Sequence, residues 1–224
     1  MKVDPAGSIY VIGEFSFSIT YDGQTISSAG ATDAFVATLD AGGDLIWMVG
    51  AGGAGIDRGL KVAVDGSGVV AVTGQFMGTA DLFGTTLTSA SGTQDVFTAR
   101  LNAATGAADW VRAGGATLGS DRPYGVTLSP NGNLTVAGEF RGTATFSGST
   151  IASMIDPFTL QSSVDVFVAS YDASGTLIWL QQGAAPFTDR AIDIVSDAAS
   201  NLYVCGQFSD TITFDAPHNN TISN

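Results

Sequence analysis

The chain has very little that could do acid–base, redox or metal chemistry. It holds one histidine, His218, and one cysteine, Cys205, in 224 residues. A single cysteine makes no internal disulfide, which excludes a disulfide-stapled fold. A single histidine leaves no pair for a zinc site, and no Gly-x-Ser-x-Gly elbow accompanies it for a serine triad. The chain is therefore expected not to be an enzyme. Lysine is nearly missing, present only as Lys2 and Lys61, and Glu14 and Glu139 are the only glutamates among 21 acidic residues. Exposed helices are built from Glu and Lys, whereas Asp and Gly favour turns. A chain short of the first pair, with 19 Asp and 29 Gly, is expected to be almost all β. Eight basic residues against a net charge of −13 leave nothing to clamp phosphates, so nucleic acid and anionic membrane surfaces are excluded as partners. No apolar run approaches the length of a membrane-spanning helix, so no membrane insertion is expected. The start, Met1-Lys2-Val3-Asp4-Pro5, has no apolar stretch of a signal peptide.

What is present is a repeat. Gly13-Glu14-Phe15, Gly74-Gln75-Phe76, Gly138-Glu139-Phe140 and Gly206-Gln207-Phe208 share one pattern, with glycines 61, 64 and 68 residues apart. A long, nearly fixed period marks a solenoid, a propeller or an array of stacked units. We read one repeat domain over 1–224, with copies at about 4–64, 65–128, 129–196 and, in part, 197–224. Asp57-Arg58, Asp121-Arg122 and Asp189-Arg190 each begin 17 residues before the next signature Gly.

Each copy reads as four strands. The first follows Asp-Arg, as in Leu60–Val64, Tyr124–Leu128 and Ile192–Val195. A turn rich in Asp, Asn, Pro and Gly leads to the second, such as Val69–Val72 or Leu134–Ala137. A Thr- and Phe-rich β excursion follows the signature, as in Thr79–Phe83 and Thr143–Phe146. The third strand opens with Asp33-Ala34-Phe35, Asp95-Val96-Phe97 or Asp165-Val166-Phe167. The fourth carries Trp47, Trp110 or Trp179 and runs into a small-residue loop, as in Ala51-Gly52-Gly53 and Ala113-Gly114-Gly115. Residues around Ile151 to Ser163 are an insertion confined to the third copy. Length variation concentrates in surface loops, where binding residues also sit.

The pattern Asp-Arg…Val-Ala-Val-Asp-x-x-Gly-x-x-x-Val-x-Gly-x-Phe…Asp-x-Phe-x-Ala-x-Leu…Trp…Ala-Gly-Gly resembles the bacterial β-propeller repeat often called SBBP-type. The resemblance covers essentially the whole chain. It implies an all-β, β-propeller-type repeat of four-stranded antiparallel blades, about three and a half of them. It also implies an extracellular or cell-surface location. Closed propellers hold about 4–8 blades, and closure protects their edges. An incomplete count predicts self-association or membership of a longer chain; two chains would supply about seven blades.

The expected function is a non-catalytic surface scaffold that binds protein or glycan through variable loops. The alternative is a structural subunit that joins neighbours into a ring, filament or surface layer. A propeller lyase or hydrolase is a third reading, by analogy of fold alone. Asp156 and Phe158, the one acidic and one aromatic side chain of the insertion, are the candidate binding residues. Asp57, Arg58, Asp121, Arg122, Asp189 and Arg190 read either as ion pairs between blades or as a charged ring lining a channel. The tryptophans read as core between blades or as platforms for sugars. No cofactor is expected; calcium is the one ion the Asp turns leave open, although no Asp-x-Asp-x-Asp-Gly run is present. Gly50-Ala51-Gly52-Gly53-Ala54-Gly55 matches a phosphate-binding spacing, but a strand follows it where a helix is required. Asn133-Leu134-Thr135 and Asn219-Asn220-Thr221 are formal glycosylation sequons. The acid–amide series Glu14, Gln75, Glu139, Gln207 has no explanation in the sequence.

Overall fold

A computed structural model describes residues 1–214 and 221–223 of the chain. His218 and the sequon asparagine Asn219 lie outside the described residues. In chain order, the first stretch forms β1 (Lys2–Val3), β2 (Ile9–Phe15), the hairpin β3 (Ser18–Tyr21) and β4 (Gln24–Ser27), then β5 (Asp33–Leu39) and β6 (Leu45–Gly53). The second forms β7 (Arg58–Val64), β8 (Val69–Met77), the hairpin β9 (Thr79–Leu82) and β10 (Thr85–Thr88), then β11 (Gln94–Asn102) and β12 (Ala108–Ala116). The third forms β13 (Arg122–Leu128), β14 (Leu134–Arg141), the hairpin β15 (Thr143–Phe146) and β16 (Ser149–Ala152), then β17 (Val164–Tyr171) and β18 (Leu177–Ala184). The last forms β19 (Arg190–Ser196), β20 (Leu202–Gln207), β21 (Thr211–Phe214) and β22 (Thr221–Ser223). A single 3-10 turn at Ala90–Gly92 is the one helical element among the described residues.

Every strand pair within the sheets is antiparallel. Three sheets of six strands run β1-β2-β5-β6-β9-β10, β7-β8-β11-β12-β15-β16 and β13-β14-β17-β18-β21-β22; β19-β20 and β3-β4 form two further pairs. Four strands of each sheet come from one stretch, whose own hairpin lies in sequence between the second and the third. The outer two come from the hairpin of the following stretch, which crosses back to pair with the fourth strand.

The burial of each strand follows its place. β8 lies between β7 and β11 and is covered on both faces, so Val69-Val70-Ala71-Val72 is a continuous apolar run. β9 covers one face only, and its buried residues alternate with exposed ones. Turns follow side-chain chemistry: Asp40 Oδ1 accepts from the Gly42 and Asp44 amides (2.8 and 3.0 Å), and Gly43 takes φ +92. The apolar core lies between successive sheets. One cluster joins Val36 and Trp47 to Val70, Val72 and Phe76. The next joins Val96 and Trp110 to Val136, Phe140 and Phe167, and a third joins Val166 and Val168 to Ile194 and Ile212.

One expectation is corrected. Ala51-Gly52-Gly53 and Ala113-Gly114-Gly115 are not loops but the ends of β6 and β12. Their small size has a steric cause. A Cβ at Gly53 would lie 2.2 Å from the Thr79 carbonyl oxygen on the crossing hairpin. At Gly115 it would lie 2.3 Å from the Asp95 carboxyl carbon. The Gly50–Gly55 match thus falls largely in strand, with no helix to present amides to a phosphate.

Candidate functional site

The insertion between β16 and β17 is an ordered loop. Asp156 organises it: its Oδ1 accepts from the Phe158 and Thr159 amides (2.8 and 3.1 Å), and its own amide donates to the Gln161 carbonyl (2.8 Å). Those bonds hold the Asp156 carboxyl below the usual carboxylate range. Arg141, at the end of β14, pins the far side, with Nε on the Ser162 carbonyl and Nη2 on Gln161 Oε1, both at 3.0 Å. The Ser163 amide closes the base by donating to the Met154 carbonyl (2.7 Å).

The framework holds apolar side chains in water. Phe158 is 81% exposed and Leu160 77%. The Phe158 ring stacks on Phe187, with centroids 5.9 Å apart and planes 18° apart. A cleft of about 280 Å³ lies beside them, lined by Arg141, Asp156, Gln161, Phe187 and Thr188. Within the loop, Asp156 is thus a scaffold residue, while Phe158 is the presented one. Arg141 and Phe187 escaped the sequence reading, although both break the repeat: Arg141 stands where the other copies have Ser16, Met77 and Ser209.

The Asp-Arg residues part company. Asp57, Asp121 and Asp189 are fully buried and bond to backbone, not to arginine. Asp57 Oδ2 accepts from the Gly53 amide (2.7 Å) and Oδ1 from Met77 (3.0 Å). Asp121 accepts likewise from Ala116 (2.5 Å) and Arg141 (3.1 Å), and Asp189 from Ser209 (2.9 Å). Asp57 and Asp121 thereby tie the fourth strand of one sheet to the second strand of the next. A second buried series, Asp33, Asp95 and Asp165, accepts from Ala29, Ala90 and Met154 in the approach to each third strand. Burial outweighs these bonds and pushes Asp95 and Asp165 up to about 6 and Asp121 up to about 7, the last also raised by Asp95.

The arginines look outward. Arg58 pairs with Glu14 at 2.7 Å, Arg190 pairs with Glu139, and the Arg122 guanidinium lies 5.3 Å over the Tyr124 ring. Gln75, buried at the equivalent position, donates to the Asp121 carbonyl (2.8 Å). Three members of the acid–amide series thus have a cause: Glu14 and Glu139 stand where an arginine of the next stretch reaches them, and Gln75 where a buried carbonyl needs a donor, while Gln207 is exposed.

A groove of about 610 Å³ runs along β7, β13 and β19. Lys2, Lys61, Asp65, Asp193 and Asp197 line it, and no arginine does. Trp47 and Trp110 are buried, each donating its indole N–H to a turn carbonyl of the next sheet, Ala103 (2.8 Å) and Ala173 (3.1 Å). Among the described residues no three His, Cys, Asp or Glu side chains gather to hold a metal ion, and no helix is long and apolar enough to cross a membrane. No protein-family model matches the chain, and a search of curated proteins finds no significant relative.

Proposed function

We propose that the chain is a non-catalytic, propeller-type scaffold of the cell exterior that binds a protein partner through the inserted loop at 153–163. The propeller reading is supported by three sheets of one strand order whose first strands adjoin, β13 lying against both β7 and β19. The location is supported by the −13 charge and the scarcity of lysine, with the SBBP-type resemblance. The binding role rests on one observation: Phe158 and Leu160 stand in water on a loop whose backbone is held by Asp156 and Arg141. Exposed apolar groups on an ordered loop mark an interaction site, and fixing the loop in advance lowers the ordering cost of binding. Aliphatic Leu160 beside the aromatic pair suits an apolar protein segment better than a sugar face.

Selection of a random peptide library on the folded chain tests this. Enriched peptides should be apolar and should lose at least about tenfold in affinity against F158S. Peptides indifferent to F158S, or capture of glycans alone on an array, would overturn the reading.

A further inference from the structure

A separate feature lies on the two-stranded sheet β19-β20, which follows the last six-stranded sheet. In each of β2, β8 and β14 the signature glycine faces a phenylalanine of the third strand: Gly13 opposite Phe35, Gly74 opposite Phe97, Gly138 opposite Phe167. The ring fills the space a Cβ would take, at 2.8, 2.6 and 2.8 Å from its position. Gly206 on β20 has the backbone neighbour of Gly74 and Gly138, here the Arg190 carbonyl at 2.1 Å, but no ring atom among its three nearest neighbours. Its strand pairs with β19 alone among the described residues. Val72 and Val136 are fully buried, while their counterpart Val204 is 43% exposed and Tyr203 beside it 58%.

Trp179 shows the same gap from the adjoining sheet. Trp47 and Trp110 each lie over a turn glycine, Gly106 or Gly175, and donate to a carbonyl of that turn. Trp179 is only half-buried and has no such turn over it among the described residues. Both gaps have the shape of one missing object. It is a β-hairpin whose first strand carries the phenylalanine and whose turn carries the glycine and carbonyl.

We propose that β20 is a docking edge for a β-hairpin from outside residues 1–224, whose first strand reads Asp-x-Phe-x-Ala. It adds antiparallel, with Asp opposite Phe208, Phe opposite Gly206 and Ala opposite Val204, the register of the three complete sheets. A second copy of the chain is not the occupant, because its β5, β11 and β17 are each paired on both edges.

Cys205, exposed on β20, makes the register measurable. The full chain is mixed with a peptide of residues 94–116 carrying Thr98→Cys as an activated disulfide. In this register residue 98 faces Cys205, as Thr98 faces Thr73. A second peptide carries Ala99→Cys, which points to the opposite face. The Thr98→Cys peptide should couple to Cys205 at least about tenfold faster, through its higher effective concentration. That preference should vanish with Phe97→Ala in the peptide, or in urea. Amides of residues 202–207 should exchange more slowly in the coupled product. Equal rates for the two peptides, or no coupling, would overturn the proposal. So would sedimentation as a dimer with these amides already protected, which would make a second copy the occupant.

Discussion

At the scale of single residues, the buried aspartates are the feature that most repays attention. Thr93 and Ser163 each place a hydroxyl on the third-strand aspartate two positions on, Asp95 or Asp165. The first copy has Ala31 there, and Asp33 Oδ1 is left buried without a donor. Ala31→Ser should supply it and stabilise the fold by about 1 kcal/mol, raising Tm by roughly 2–4 °C in calorimetry. An unchanged Tm would show that Oδ1 gains nothing from a donor. The residue types were legible in the sequence, but their partners were not. Asp-Arg adjacency suggests an ion pair, yet Asp57 turns inward to amides and Arg58 outward to Glu14. Neighbours in extended chain point to opposite sides, so adjacency carries no information about contact. Phe158 could be singled out as the one aromatic of the insertion. Its stacking partner Phe187 lies in a different connection, and no local pattern joins them.

At the scale of elements, alternation and turn residues locate the strands well, because pleating and tight turns leave local signals. They say nothing about which sheet a strand joins. The Thr-rich excursions read as β, but their pairing with the preceding sheet is a non-local choice with no period of its own. Ala-Gly-Gly looks like a loop for a related reason: small residues are demanded there by close approach, which composition cannot distinguish from flexibility. The same logic makes the signature glycine a steric requirement. A Cβ at Gly74 would lie 1.9 Å from the Arg58 carbonyl oxygen and 2.6 Å from the Phe97 ring. Gly74→Ala should therefore cost about 3 kcal/mol in urea denaturation. Gly50→Ala, where the nearest atom is 3.6 Å away, should stay within about 1 kcal/mol.

At the scale of the whole molecule, charge governs behaviour. Asp95, Asp121 and Asp165 have folded pKa values of about 6, 7 and 6, above the 3.8 of an unburied aspartate. The folded state then binds more protons than the unfolded state between about pH 4 and pH 7. Stability is fully present below that window and is lost as pH rises through it. Asp4, Asp156, Asp172 and Asp197 run the other way, their carboxyls held low by hydrogen bonds, and lose their contribution in stronger acid. Tm should therefore peak at mildly acidic pH, standing at least about 5 °C higher at pH 5 than at pH 8. Asp121→Asn should flatten that slope, and a flat profile in the unaltered chain would refute the assignment. The crossing hairpins bear on how the chain is made as well as on how it stands. The outer edge of β6 is covered by β9, which begins 26 residues further along the chain, after all of β7 and β8. On the ribosome each sheet must wait, its fourth strand bare, until much of the next stretch has emerged. Synthesis and folding are thus interlocked, each unit being finished by its successor.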